Sequence, residues 1–180
     1  VGIEPQEPNP MLFPFQRDIV KWALRRGRAC IWADCGLGKS FMQLEWAKQI
    51  PGYVLIVAPL GVALQTANEE APKLGIRAKY CRDMSEVEPG ITVCNYEMLH
   101  KFDASKFSGV VLDESSAIKH KDSATRNMIL EMFDRTPFKL ACTATPAPND
   151  HMELGNHAQF VGAMTLTEML SMYFVHDGGE

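Results

Sequence analysis

At 180 residues, 46% apolar and 22% charged, the chain has the size and composition of one globular domain with a sizeable core. Its formal charge of −4 excludes whole-chain attraction to a polyanion, so any nucleic-acid contact has to be local. No apolar run approaches the roughly 20 residues of a membrane span, and five scattered cysteines without C-x-x-C spacing argue against a disulfide framework or structural zinc.

The chain opens on Val1-Gly2-Ile3-Glu4, with neither an initiator Met nor the basic-then-apolar plan of a signal peptide. It stops at Phe174 to Glu180 without an obvious structural terminus, and both ends read as those of a piece of a longer protein. Pro5, Pro8, Pro10 and Pro14 break any regular pattern, so residues 1–14 read as an extended lead-in, with Glu4 and Glu7 as solvated linker acids. Phe15, Ile19, Trp22 and Ala23 fall at helical spacing and predict a helix from Phe15 to Arg26.

Next comes a short apolar strand, Ala29-Cys30-Ile31-Trp32, then Ala33-Asp34-Cys35-Gly36-Leu37-Gly38-Lys39-Ser40, then an amphipathic segment from Phe41 to Ala47. Strand, glycine loop and helix in that order are the context of a phosphate-binding loop, although Ala33 stands where the simple pattern has glycine. Binding a triphosphate needs several backbone N–H groups converging with no side chains in the way. Gly36 and Gly38 permit that backbone, and a helix starting near Lys39 points its positive end at the phosphates. Lys39 offers a mobile cation for the outer phosphates, and Ser40 a hydroxyl for Mg²⁺.

Beyond the Pro51-Gly52 turn, Tyr53 to Ala58 reads as a buried strand ended by Pro59, and Gln65 to Leu74 as a helix. Short strands are predicted at Ala78–Cys81 and Ile91–Asn95, and Val110-Val111-Leu112 is an apolar strand ending in Asp113-Glu114. A nucleoside triphosphatase needs one acid to hold Mg²⁺ and a second to activate water; Asp113 fits the first role and Glu114 the second. A helix over Ser123–Phe133 and a strand over Phe138–Cys142 follow. Strands alternating with helices predict an α/β fold, a mostly parallel sheet covered on both faces, with ligands beyond the strands' C-terminal ends.

Met152 to Tyr173 carries Met and aromatic residues at helical spacing, which suits core packing or a face toward a further lobe. The five histidines show no metal-binding spacing; His151 and His157 with Glu153 read as the start of a surface helix. The cysteines read as small hydrophobes inside strands.

In this order, the stretches resemble the first RecA-like lobe of a superfamily 2 helicase of the SWI/SNF type. Phe13-Pro14-Phe15-Gln16 resembles the Q motif, Ala33 to Ser40 motif I, Val57-Ala58-Pro59-Leu60 motif Ia, and Asn95-Tyr96-Glu97 the family's [TN]-Y-E segment. Asp113-Glu114-Ser115-Ser116 stands in place of D-E-A-H, and Thr143-Ala144-Thr145-Pro146 with Asn149 resembles motif III. The resemblance is collinear from Leu12 to Asn149. Its departures are Phe13 where arginine is common, Ser115-Ser116 for Ala-His or Ala-Asp, and Ala144 for glycine.

The resemblance implies a RecA-like P-loop NTPase lobe over residues 15–150 and a helical tail over 151–180 leading to a second lobe. It implies ATP and Mg²⁺ as cofactors, with Gln16 on the adenine edge and Asp34, Cys35, Gly36, Leu37, Gly38, Lys39 and Ser40 around the nucleotide. Ser40 and Asp113 would hold Mg²⁺, Asp113 through water; Glu114 and Lys39 would be catalytic; Thr143 and Thr145 would couple hydrolysis to movement. Pro59, Leu60, Asn95 and Tyr96 would contact nucleic acid, double-stranded DNA by this analogy. Hydrolysis in this piece alone would be weak or absent, since the second lobe supplies the arginine fingers, worth ~10³–10⁵ in rate in related phosphoryl transfer. The spelling is similar to that of helicases of phages and mobile elements, which implies a cytoplasmic protein of bacterial or phage origin and no membrane partner.

Two other classes fit the phosphate loop: a P-loop NTPase such as an AAA-type remodeller or a nucleotide kinase, and a non-catalytic nucleotide-binding module. The adjacent Asp113-Glu114 argues against a kinase and the Thr143–Asn149 segment against a remodeller. Intact Lys39, Ser40, Asp113 and Glu114 argue against a decayed module.

Overall fold

The computed structural model describes residues 2–33, 38–113, 123–143 and 174–175. Seven parallel strands form one sheet: β1 (Arg28–Ala33), β2 (Tyr53–Ala58), β3 (Ala78–Tyr80), β4 (Gly90–Asn95), β5 (Gly109–Asp113), β6 (Phe138–Thr143) and β7 (Phe174–Val175). Their order is β3-β4-β2-β5-β6-β1-β7. The chain therefore leaves β1, crosses over two positions to β2, and later fills the gap with β5 and β6.

Because side chains alternate along a strand, β2 sends Val54, Ile56 and Ala58 to one face and Leu55 and Val57 to the other. The first face packs on α1 (Pro14–Arg26) and α2 (Lys39–Gln49) through Ile19, Ala23, Met42 and Trp46. The second packs on a 3₁₀ segment, Tyr96–Lys101, and on α5 (Ser123–Met132), through Leu99, Ile129 and neighbouring Phe133. Both faces are covered, which is why the strands read as continuous apolar runs.

Three local differences from the predicted elements have physical causes. The helix predicted from Gln65 begins directly after Pro59, as α3 (Leu60–Gln65), widens into a π turn over Thr66–Glu70, and ends as α4 (Ala71–Lys73). Pro72 lacks an N–H and its ring crowds the preceding turn, and the ladder widens just before it, with Ala71 N–H reaching back to Thr66 O. The helix α2 is buried all round from Met42 to Ala47 rather than amphipathic, because α1 and the lead-in cover its outer side. Phe174 and Val175, in the stretch predicted as a helical tail, pair as a strand with Trp32 and Ala33; positions 151–173 lie outside the described residues.

The lead-in is docked through its backbone rather than being a free linker, while the Glu4 and Glu7 side chains are solvated, as expected. Ile3 N–H donates to Leu24 O at 2.9 Å, and Gln49 exchanges two hydrogen bonds with the Gln6 backbone, at 2.7 and 3.1 Å. Glu7 meets Lys21 at 2.9 Å, and that contact holds its carboxyl below the usual carboxylate range. Prolines keep the segment extended, and an extended segment can lie along two helices and satisfy its backbone on them.

Candidate nucleotide site

The C-terminal ends of β1, β5 and β6 lie side by side, with Ile31 opposite Cys142 and Cys142 opposite Asp113. The chain following β1 returns at Gly38, whose φ of 74° is in the left-handed region that glycine tolerates, and Lys39 begins α2. Lys39 Nζ stands 3.8 Å from Asp113 Oδ1, and the two side chains are only 12% and 4% exposed. A lysine at a helix N-terminus thus faces a buried carboxylate at a strand tip. That places one mobile cation and one hard anionic ligand around the end of α2, where the helix's unpaired N–H groups favour an anion.

Asp113 is held from two further directions. Gln43 Nε2 donates to its Oδ1 at 2.8 Å, and the Tyr96 hydroxyl donates to its backbone carbonyl at 2.8 Å. Gln43 follows Lys39 by one helical turn, so both reach the same carboxylate from one face of α2.

No family model matches the chain. The chain is 28% identical over 161 residues to the SWI/SNF-related matrix-associated actin-dependent regulator of chromatin subfamily A-like protein 1 of Xenopus laevis, covering 79% of this chain and 16% of that protein. It is 27% identical over 170 residues to the mouse DNA annealing helicase and endonuclease ZRANB3, covering 79% and 15%. The chain thus spans about a sixth of the length of these relatives. Its fold superposes on the Sulfolobus solfataricus SWI2/SNF2 ATPase core, solved in complex with dsDNA, with a TM-score of 0.74 at 21% identity. That match covers 94% of this chain and 40% of the other. The chain has the fold of a RecA-like lobe and is similar in sequence to SWI/SNF-related helicases.

Within this lobe, Gln16 is 3% exposed and its Oε1 accepts the Phe13 N–H at 2.8 Å, closing the first turn of α1. Its amide nitrogen lies against Gly38, where a side-chain carbon at that glycine would sit. Gln16 thus joins α1 to Gly38, the residue before α2. Beside it, Phe13 and Phe15 stack at 6.1 Å between centroids and are both exposed.

The residues expected at nucleic acid divide in two. Pro59 and Leu60 lie at the C-terminal edge of the sheet, and Leu60 is 49% exposed. Asn95 and Tyr96 are buried and bonded to neighbouring strands and the 3₁₀ segment. Asn95 accepts from the Tyr80 hydroxyl at 2.7 Å and donates to Glu97 at 2.8 Å, while Tyr96 serves Asp113. A buried strand packs both faces, so its sequence did not tell which end residues turn inward.

Ser40 sits half-buried in the first turn of α2. A hydroxyl and a carboxylate are hard oxygen donors of the kind Mg²⁺ takes, so Ser40 and Asp113 fit the cation the fold family implies. Thr143 ends β6 opposite Trp32. Asp34, Cys35, Gly36, Leu37, Glu114 and Thr145 lie outside the described residues.

Cys30 and Cys94 are buried, and burial pushes both thiols far up, so they stay protonated and act as core hydrophobes. Among the described residues no cluster of His, Cys, Asp and Glu has metal-binding geometry, and no helix is long and apolar enough to cross a membrane. Gln43 and Tyr80 escaped the sequence reading; the one signal for Gln43 was its spacing from Lys39.

Proposed function

We propose that the lobe binds ATP with Mg²⁺ and is the nucleotide-holding half of an ATP-driven motor that moves on DNA. The observation that carries this reading is the 3.8 Å approach of Lys39 to the buried Asp113. A cation and a carboxylate this close, at a helix N-terminus and at the C-terminal edge of a parallel sheet, suit a triphosphate with its counter-cation.

On binding, Lys39 turns its ammonium to the outer phosphates, and Gly38 with the backbone of residues 34–37 lies around them. Ser40 and Asp113 hold the Mg²⁺, which neutralises charge on the phosphates. Glu114 orients the attacking water, Gln16 meets the adenine edge, and Thr143 and Thr145 report the phosphate state to the rest of the motor. A second RecA-like lobe in a longer chain supplies the arginine fingers, so this lobe alone hydrolyses weakly or not at all.

Duplex DNA is the favoured track, supported by the likeness to a core solved on dsDNA and to a DNA annealing helicase. Pro59 and Leu60 face it, while Asn95 and Tyr96 act from beneath the surface. Contacts of this kind go to phosphates and position the strand without reading sequence. We place the protein in the cytoplasm of a bacterium or a phage-infected cell.

The test is calorimetry of ATP with MgCl2 on this chain, followed by ATP hydrolysis by a chain extended through the second lobe. Stimulation by duplex DNA, and less by single strands or RNA, is the expected result. Hydrolysis indifferent to every nucleic acid would move an AAA-type remodeller or another P-loop class to the front.

A further inference from the structure

The helix α2 carries polar side chains into the core, and one of them is aimed at the site. Gln43 is fully buried, at 0% exposure, in the middle of an otherwise tightly packed helix. Its Nε2 donates to Asp113 Oδ1 at 2.8 Å. A carboxylate can only accept, so this bond fixes which way the amide points. The consequence is that Gln43 Oε1 is buried with no hydrogen-bond partner.

An unmade buried acceptor works against folding, and a leucine or methionine would fill the same space without that cost. Arg17 Nε, Glu45 Oε2 and Trp46 Nε1 are also buried without a partner, but of these four side chains Gln43 is the one whose amide donates to the carboxylate that faces Lys39. The chemistry of the tether explains why an amide serves there. Lys39 also meets Asp113 Oδ1, at 3.8 Å, but its charge is wanted by the phosphates. A second lysine or arginine would hold Asp113 and cancel the charge that attracts the cation. A neutral amide orients the carboxylate and leaves its charge intact, as outer-shell partners of metal ligands do.

We propose that Gln43 is a positioning residue that holds Asp113 in the orientation that meets the Mg²⁺ of a bound nucleotide. The inference rests on the reading of Lys39, Ser40 and Asp113 as a Mg²⁺–nucleotide site. It assigns Gln43 no contact with the nucleotide.

The test compares the unsubstituted chain with Gln43→Met and Gln43→Leu, following ATP binding by calorimetry across a MgCl2 titration and in EDTA, and following thermal unfolding. Two apolar variants are used so that one that packs poorly does not end the experiment. The MgCl2 concentration for half-maximal enhancement of ATP binding should rise 10–100-fold. Binding in EDTA should be unchanged, and the unfolding midpoint should change little, because removing the orphan acceptor offsets the bond lost at the buried Asp113 carboxylate. A merely structural role moves these readouts the other way: a lower midpoint with unchanged Mg²⁺ dependence overturns the inference. So does unchanged Mg²⁺ dependence at an unchanged midpoint. Failure of the unsubstituted chain to bind ATP with MgCl2 at all overturns the site reading, and this inference with it.

Discussion

The Tyr96 hydroxyl donates to the Asp113 carbonyl across 2.8 Å of buried space, joining the end of β4 to the tip of β5. Tyr96 follows Asn95, itself bonded to Tyr80 and Glu97, so two hydrogen bonds joined by the Asn95–Tyr96 peptide link the edge strand β3 to the candidate metal ligand. Tyr96→Phe keeps the ring and removes this link. The expected loss is about 0.5–1.5 kcal/mol of folding stability, read as a lower urea midpoint at unchanged slope. An unchanged midpoint would mean that the hydroxyl contributes nothing to holding the β5 tip.

Lys39→Ala should abolish ATP binding in calorimetry, because no other described side chain brings a cation to Asp113 at the start of α2. Wild-type affinity in this variant would refute the phosphate-loop assignment.

Glu114→Gln separates binding from turnover. Mg²⁺-dependent ATP binding should persist, while residual hydrolysis disappears, since an amide cannot take a proton from water. Surviving hydrolysis would assign water activation to another residue.

Gly38→Ala tests the loop's backbone. A side chain at φ 74° carries the left-handed cost of roughly 1–2 kcal/mol, and its Cβ would run into the Gln16 amide. Weaker ATP binding and a lower melting temperature are expected together. Unaltered binding would show that Gln16 and Gly38 can part without consequence.

Lys139 in β6 is 2% exposed, and its Nζ donates to Asp134 O at 3.1 Å. Burial, with the charge of Arg28, pushes its pKa down from 10.5 to about 8, against a smaller opposing pull from Asp134. Above pH 8 the folded chain releases a proton that the unfolded chain keeps until about 10.5, so this group makes stability rise with pH. Below pH 8 both states are charged and the full cost of burying the ammonium remains. Cys30 and Cys94 act oppositely: unfolded thiols ionise from about 9 while the buried ones do not, so stability falls beyond that. Urea midpoints should therefore rise between pH 8 and 9. In Lys139→Met this rise should vanish, with a higher midpoint at pH 7; a variant that keeps the wild-type slope would rule Lys139 out as its source.

The sequence by itself determined the elements and the chemistry they carry. Apolar runs of strand length named six of the seven strands, because a sheet covered on both faces leaves no polar alternation to confuse the reading. Gly38-Lys39-Ser40 and Asp113-Glu114 stood out in the sequence because a site for phosphate and Mg²⁺ would demand those residue types after apolar strands. Only the tertiary structure decided who meets whom. Strand order depends on which crossovers pack, and the chain cannot announce that β5 and β6 lie between β1 and β2. Gln43 and Asp113, 70 residues apart, become partners only when α2 lies across β5. The burial of Asn95 and Tyr96 and the docking of the proline-rich lead-in went unread for the same reason. Burial and partnership belong to surfaces brought together by folding, and local spacing holds no record of them.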